Sequence, residues 1–204
     1  MFRLDADFSD YYDSLTDVKS SIVYKRKREL FNGRGSELLF LKNNGIKTVE
    51  FGHFIRVLSR SNKFVVYTNP LLHDFRGKHI YDSEDVAGHY SNCVVAEFLE
   101  QSNGYTVKYL QVGERRFRLM FYNPNYLTQL CEGTLIALEE LPRQFNYAVG
   151  LPIYSIDYIS NGVEMVAVDF NEVQNLSKIG MDAVMKPDEV VTEVKRALLA
   201  YNKA

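Results

Sequence analysis

The chain has no tryptophan, only two cysteines and five prolines in 204 residues. Cys93 and Cys131 show no C-x-x-C spacing, which excludes a cysteine-built zinc site and a disulfide framework and predicts two reduced core residues. No apolar run approaches the roughly 20 residues needed to cross a bilayer. The opening Met-Phe-Arg-Leu-Asp-Ala-Asp lacks the apolar stretch of a signal peptide, so a cytoplasmic protein with no membrane partner is expected. Charge of one sign is also missing: 24 basic residues against 26 acidic ones give no reason to expect nucleic acid or an anionic surface as the main partner. There is no G-x-x-x-x-G-K-[ST] loop, which excludes a P-loop nucleotide site, and no G-x-S-x-G elbow or Lys-x-Asp-Gly nucleophile. His53, His73, His79 and His89 have no spacing that suggests zinc, and His79 reads as a solvated loop residue.

What is present is a globular composition, 46% hydrophobic with 14 Tyr and 13 Phe, enough for one sizeable core or two small lobes. Residues 7–20 are polar, with an unusual Asp10-Tyr11-Tyr12-Asp13-Ser14 run that has no assignable structure. Ser21–Lys25 reads as a short strand. Lys25-Arg26-Lys27-Arg28 reads as a solvated surface stretch, with nucleotide stacking by nearby tyrosines as the minor alternative. Ser36 opens an expected helix with Leu38, Leu39 and Leu41 buried and Asn44-Gly45 as its stop. From Ile46 the period shifts towards two, and strands are expected over Lys47–Phe51, Phe64–Thr68, Val94–Leu99, Tyr105–Val112 and Arg116–Tyr122. Leu127, Leu130, Cys131, Thr134, Leu135 and Leu138 fall at helical spacing and predict an amphipathic helix ending near Pro142. A last helix is expected from Pro187, with Asp188 and Glu189 at the positive end of its dipole and Val190, Val191, Val194, Ala197, Leu198 and Tyr201 as its stripe.

The strongest chemical signal is a pair of apolar strands, Ile153–Ile159 and Glu164–Phe170, joined at Asn161-Gly162 and carrying Asp157, Asp169 and Asn171. Two carboxylates and an amide on a rigid ribbon are hard oxygen donors suited to Mg²⁺ held against nucleotide phosphates. Asp169 and Asn171 are two apart and share a strand face. Whether Asp157 joins them depends on register. A strict two-residue loop pairs Asp157 with Val166 and splits the set, whereas a three-residue loop with a bulge pairs it with Ala167 and unites it, so the metal reading predicts an odd-length loop. The bland alternative is an edge hairpin with solvent-facing polar residues.

The order of these segments resembles the ATP-grasp superfamily of ATP-dependent carboxylate–amine and carboxylate–thiol ligases. Gly45-Ile46-Lys47-Thr48-Val49 is similar to the family's Gly-Ile-x-Thr-Pro at the start of its first lobe. Val94-Val95-Ala96-Glu97-Phe98-Leu99 resembles its adenine-binding hinge. Gly104-Tyr105-Thr106-Val107-Lys108, with Gln111-Val112-Gly113, resembles the strand pair that follows, and the 157–171 hairpin resembles the closing metal hairpin. The resemblance covers about Glu37 to Leu199 and implies an α+β fold, ATP-grasp-like, in two lobes of antiparallel sheet: 1–35 unassigned, 36–90 the first lobe, 91–204 the second, with a nucleotide cleft between them. It implies ATP against Glu97, Phe98, Leu99 and Thr106, and Mg²⁺ on Asp157, Asp169 and Asn171. Arg76 and Lys78 would supply charge from a flap, and Lys108 or Arg118 would act at the phosphates. A small-molecule or peptide carboxylate would be activated as an acylphosphate and captured by an amine or thiol.

The chain also departs from the family pattern. Tyr67 stands where these enzymes usually have a lysine, and a phenol does not neutralise a phosphate oxygen as an ammonium does. The glycine-rich flap is reduced to Asp74-Phe75-Arg76-Gly77-Lys78-His79, Thr106 stands in place of the ribose-binding acid, and Asp169 replaces the commoner Glu. These departures keep a second reading open, a non-catalytic ATP-grasp-like module that binds a nucleotide or a protein partner. Residues 1–35 are too few to replace the family's N-terminal domain, so an acceptor held by a second subunit or partner protein is the accompanying expectation. Lys108 and Arg118 cannot serve one phosphate together if Gly113-Glu114 is a two-residue turn.

Overall fold

Period-two alternation yields two antiparallel sheets, one of four strands before Phe98-Leu99 in the chain and one of five strands after it. The computed structural model describes residues 34–52, 62–68, 77–82, 93–128, 133–142, 153–171 and 184–201. Arg76, Cys131, Leu130, His53, His73, His89 and everything read into residues 1–33 lie outside them.

Helix α1 (Arg34–Asn43) precedes the sheets. Its stop has a specific chemistry: Gly45 takes φ +76°, Ile46 N–H donates to the Leu41 carbonyl and Gly45 N–H to that of Lys42. This left-handed closure satisfies carbonyls that a helix end would otherwise orphan, and Ile46 packs with Leu41 in one cluster. The helix begins two residues before the expected Ser36, and Leu39 is half exposed while Leu38 and Leu41 are fully buried.

The first sheet has the order β1-β4-β2-β3, with β1 (Phe51–Gly52), β2 (Lys63–Tyr67), β3 (Lys78–Asp82) and β4 (Val94–Glu97). β3 replaces part of the expected flap, and Lys47–Phe51 is mostly irregular, with Thr48 forming an isolated bridge to Ala167 instead. β4 pairs with β1 and β2, so the sheets change over after Glu97, later than a break near Ser91. A single 3₁₀ turn (Glu100–Ser102) then leads to the second sheet, ordered β7-β6-β5-β8-β9: β5 (Tyr105–Val112), β6 (Arg115–Tyr122), β7 (Thr134–Glu140), β8 (Ile153–Ser160) and β9 (Met165–Asn171). Val112 pairs with Arg115, so Gly113-Glu114 is the two-residue turn.

The C-terminal part of the amphipathic helix expected over Leu127–Leu138 is a strand instead: Thr134–Glu140 pairs with β6 at the sheet edge, and among the described residues of the expected stripe Leu127 and Leu138 are exposed and none is buried. Gly133 explains part of this: a Cβ there would stand 2.6 Å from the Tyr122 carbonyl, so a glycine read as a helix interior lets β7 approach β6. Helix α2 (Pro187–Tyr201) starts where expected, with Lys186 N–H donating to Glu189 Oε2 at 3.1 Å as the reciprocal half of a capping box. Ala197 is buried on it.

Two apolar clusters hold the sheets. Leu41, Tyr109, Tyr154, Ile156 and Phe170 join α1 to one face of the second sheet. Val65, Tyr67, Ala96, Phe98 and Leu99 of the first sheet and its exit pack with Leu38, with Tyr126 beyond β6, and with Ile159 and Val166. This second cluster is the seam between the sheets. Burying each such side chain contributes about 1.5–3 kcal/mol, which is what fixes the sheets against each other.

Candidate functional site

The β8–β9 hairpin decides which acidic side chains can meet. Its loop is Asn161–Glu164, four residues, closed by Asn161 N–H to the Glu164 carbonyl and by Asn161 Oδ1 accepting from Val163 and Glu164 N–H. The expected odd-length loop is therefore incorrect. Parity is restored within the strand instead: Tyr158 pairs with Ala167, but Asp157 pairs with Asp169, with Val168 as the extra residue of a bulge. Asp157, Asp169 and Asn171 end on one face. Across β8, Asp157 also pairs with Lys108, so Lys108, Asp157 and Asp169 form a row across three strands.

Lys108 pairs with Leu119 and Arg118 with Tyr109, which puts the two basic candidates on opposite faces. Lys108 is buried, with Nζ 3.6 Å from Asp157 Oδ1 and 5.7 Å from the Phe121 ring centre. Arg118 is half exposed and pairs with Glu139 on β7. The structure thus excludes Arg118 from the row of acids.

The first sheet completes the cluster. Lys78 pairs with Tyr67 in the β2–β3 ladder, on the face turned to the seam, and its Nζ reaches Asp169 Oδ2 at 3.2 Å. Burial, followed by the neighbouring Arg34 guanidinium, lowers the Lys78 ammonium to about 7, against the pull of Asp157 and Glu37. Arg34 was not anticipated from sequence. It pairs with Glu37 at 2.9 Å and with Asp169 Oδ1, and its guanidinium lies 5.4 Å from the Tyr67 ring centre. Both Arg34 and Glu37 are nearly inaccessible. A signal existed: Arg34, Glu37, Leu38 and Leu41 follow i, i+3, i+4, i+7, so two charges open the buried stripe of α1. Burial also raises the Tyr67 phenol, keeping it neutral.

The other expected residues are placed as follows. Thr106 lies two before Lys108, on the same face of β5. Phe98 and Leu99 are buried in the seam, Phe98 stacked on Tyr126 at 4.9 Å and the Leu99 carbonyl accepting from Tyr126 Oη at 2.9 Å. Glu97 is half-buried, its N–H held by the Glu50 carbonyl. His79 is on β3, exposed, and alternates to the face opposite Lys78. An open hollow of about 430 Å³ lies elsewhere, along Thr192, Lys195, Arg196, Leu199 and Ala200 of α2.

Neither a protein-family profile nor a curated protein matches this chain. Solved structures do. D-alanine–D-alanine ligase from Bacillus anthracis superposes with TM-score 0.55 at 14% identity, over 84% of this chain and 68% of that one. The biotin carboxylase domain of 2-oxoglutarate carboxylase from Hydrogenobacter thermophilus, solved with MgADP and bicarbonate, gives TM-score 0.57 at 12% identity, over 83% of this chain and 46% of that one. The fold is ATP-grasp-like. The macrocyclase MdnC from Microcystis aeruginosa, bound to its precursor peptide, gives TM-score 0.52 at 11% identity, over 82% of this chain and 59% of that one. At these identities the likeness concerns the ATP-grasp fold alone, and the chain spans about two thirds of the ligase and less than half of the carboxylase domain.

Mg²⁺, which this fold implies, can be tested against the donors present. Asp157 Oδ1 is buried and accepts no hydrogen bond among the described residues, the condition of an oxygen suited to a cation. Asp169 has an ion-pair partner on each oxygen. No group of three His, Cys, Asp or Glu suited to a metal occurs among the described residues, so the amide of Asn171 would be the third donor. The donor set fits a hard cation, provided that Asp169 exchanges its partners. No helix among the described residues is long and apolar enough to cross a membrane.

Proposed function

We propose that this chain binds Mg²⁺–ATP between its two sheets and acts as an ATP-dependent ligase, joining a small-molecule or peptide carboxylate to an amine or thiol through an acylphosphate. One observation carries the reading: a buried cluster of ion pairs, Arg34, Glu37, Lys78, Lys108, Asp157 and Asp169, set where the two sheets meet in an ATP-grasp-like fold. Buried charges on this scale are weak contributors to stability, because desolvation offsets most of the Coulomb gain. Charged residues concentrated at one seam instead suit a ligand that is itself charged. The neighbouring ligase complexed with ATP and the carboxylase domain complexed with MgADP are consistent in kind.

In this reading Asp157, Asp169 and Asn171 hold the metal, which supplies charge neutralisation at the phosphates when bound. Lys108, Lys78 and Arg34 hold phosphate oxygens and stabilise charge on the transferring phosphoryl group. Lys78 takes on the charge that Tyr67 does not provide, from the paired position on the next strand. Glu97, Phe98 and Leu99 lie on the adenine side and Thr106 towards the ribose. No side-chain nucleophile is required, since a substrate carboxylate attacks the γ-phosphorus and ADP leaves; the amine or thiol then displaces phosphate. Tyr67 favours the second reading, a non-catalytic module that keeps the binding cluster without turnover.

Calorimetry with ATP and Mg²⁺ tests the site, with Asp169→Asn expected to weaken binding at least ten-fold. Absence of binding to the wild type removes both nucleotide readings. ADP release on incubation with pools of carboxylates and amines separates ligase from module.

A further inference from the structure

Strand β7 is the outer strand of the second sheet. Among the described residues it pairs with β6 alone. Six of its seven residues are exposed, Ile136 by 50% and Leu138 by 38%. An edge strand leaves alternate N–H and C=O groups without a ladder partner, so it accepts another strand of matching pattern. Charge guards only one end of β7, where Glu139 and Glu140 pair with Arg118 and Arg115 of β6. The stretch before them, Leu135-Ile136-Ala137-Leu138, is apolar throughout.

Ile136 is the extra residue of a bulge, since Leu135 pairs with Phe121 and Ala137 with Met120. A bulge can end pairing at an edge. Here it has another consequence. In a regular strand Leu135 and Leu138, three apart, point to opposite faces. The bulge returns both to one face, beside the buried Phe121 and Leu119. Ala137 alternates to the other face beside Met120, as do Thr134 beside Tyr122 and Glu139 beside Arg118.

This arrangement is complementary to itself. When two copies of β7 run antiparallel about a twofold axis at Ala137, Leu135 of each copy lies opposite Leu138 of the other. Ala137 then lies opposite its own copy and Glu139 opposite Thr134, and each Ile136 stays the unpaired residue of its bulge. Faces match at every pair because the bulge occurs in both strands. Apolar residues meet apolar ones, no like charges are opposed, and alanine at the axis lets the backbones approach. An axis at Leu138 sets Leu135 against Glu140 and Ala137 against Glu139, and an axis at Glu139 brings two carboxylates together. The side-chain pattern therefore selects one register.

We propose that β7 is the docking edge for a second copy of this chain, joining the two second sheets into one continuous sheet across a twofold axis at Ala137. The occupant is a second copy because a twofold contact must complement itself, and this strand does. A pairing of this length falls short of the ~1,200 Å² of a stable interface, so the dimer is reversible and forms with rising concentration. Along the sheet the partner's β7 lies three strands from Lys108, about 14 Å. A second copy thus stands beside the charged row without entering it.

Sedimentation velocity of the full chain over rising concentration tests the edge, with wild type compared to Ala137→Lys. Ala137 is exposed, so the monomer tolerates lysine there, whereas at the axis two ammonium groups would meet. Far-ultraviolet circular dichroism verifies folding. Register is tested by cross-linking with diamide after Cys93 and Cys131 are replaced by serine. In that background Ala137→Cys sets two thiols across the axis, where opposed Cα atoms are about 4.5–5.5 Å apart and within disulfide reach. Thr134→Cys sets them more than ~10 Å apart. The wild type is expected to pass from monomer to dimer, Ala137→Lys to dimerise about ten-fold more weakly or less, and Ala137→Cys alone to cross-link. A wild type that stays monomeric up to millimolar concentration overturns the proposal. So does a dimer that folded Ala137→Lys leaves unchanged, or one that Thr134→Cys cross-links as readily as Ala137→Cys. If Ala137→Lys does not fold, the cross-linking pair decides.

Discussion

Two regions of the second sheet, its β5–β8–β9 side and its β6–β7 edge, carry the same kinds of residue in opposite circumstances. On one, Lys108, Asp157 and Asp169 are buried and reach Arg34 and Lys78 from outside the sheet. Towards the β6–β7 edge, Arg115 pairs with Glu140 at 2.9 Å and Arg118 with Glu139, all in contact with water. The exposed pairs gain little, because water screens them and long side chains lose entropy in forming them. The buried ones are strongly coupled, since each group depends on the others to offset its desolvation. Basic and acidic residues at a strand edge thus give a surface, and the same residues under a second sheet give a site.

This contrast can be broken by mutation. The largest effect is expected for Arg34→Met, which leaves Asp169 with a single cation and Glu37 without its i, i+3 partner: a loss of about 3–5 kcal/mol in urea unfolding. A loss below about 1 kcal/mol would put the buried cluster on a level with the exposed pairs. Adding Asp169→Asn to Arg34→Met should return part of that loss, because it removes a carboxylate that the first change left poorly compensated. The double variant is therefore expected to be more stable than the sum of the singles, and strict additivity would show that the two groups do not interact.

Tyr126 sharpens the comparison at a neutral buried group. Burial pushes its phenol up to about 12 from an ordinary value of 10.0. With the folded-state value raised, its contribution is fully present below pH 10 and is lost as pH rises towards 12, by ~2 kcal/mol. Tyr126→Phe also removes the hydrogen bond to the Leu99 carbonyl, worth about 1 kcal/mol. Denaturant midpoints of wild type and variant should therefore converge between pH 10 and 12; parallel curves would contradict the burial argument. The smallest effect is expected for Arg118→Ala, about 0–1 kcal/mol and less at high salt.

Much of the site was legible because it lies on one hairpin. Asp157, Asp169 and Asn171 are close in sequence, and strand parity reduced their meeting to a single question of register. The answer was not legible: the loop is even in length, and only the bulge at Val168 returns Asp157 to the face of Asp169. Lys108 and Arg118 were separable as soon as Gly113-Glu114 was a two-residue turn, although only the ladder shows which of them meets the acids. The segment around Leu127–Leu138 misled because its leucines fit a helical period, while Gly133 and the unpaired edge of β6 favoured a strand.

By itself, the sequence determined most of the alternating strands, the stop of α1, the start of α2 and the oxygen donors of the hairpin, because these depend on neighbours a few residues apart. The tertiary structure alone decided that Arg34 and Lys78 close on Asp169. Their partner comes from a strand far along the chain, and only when the seam excludes water does a common surface charge become a buried one that must be answered.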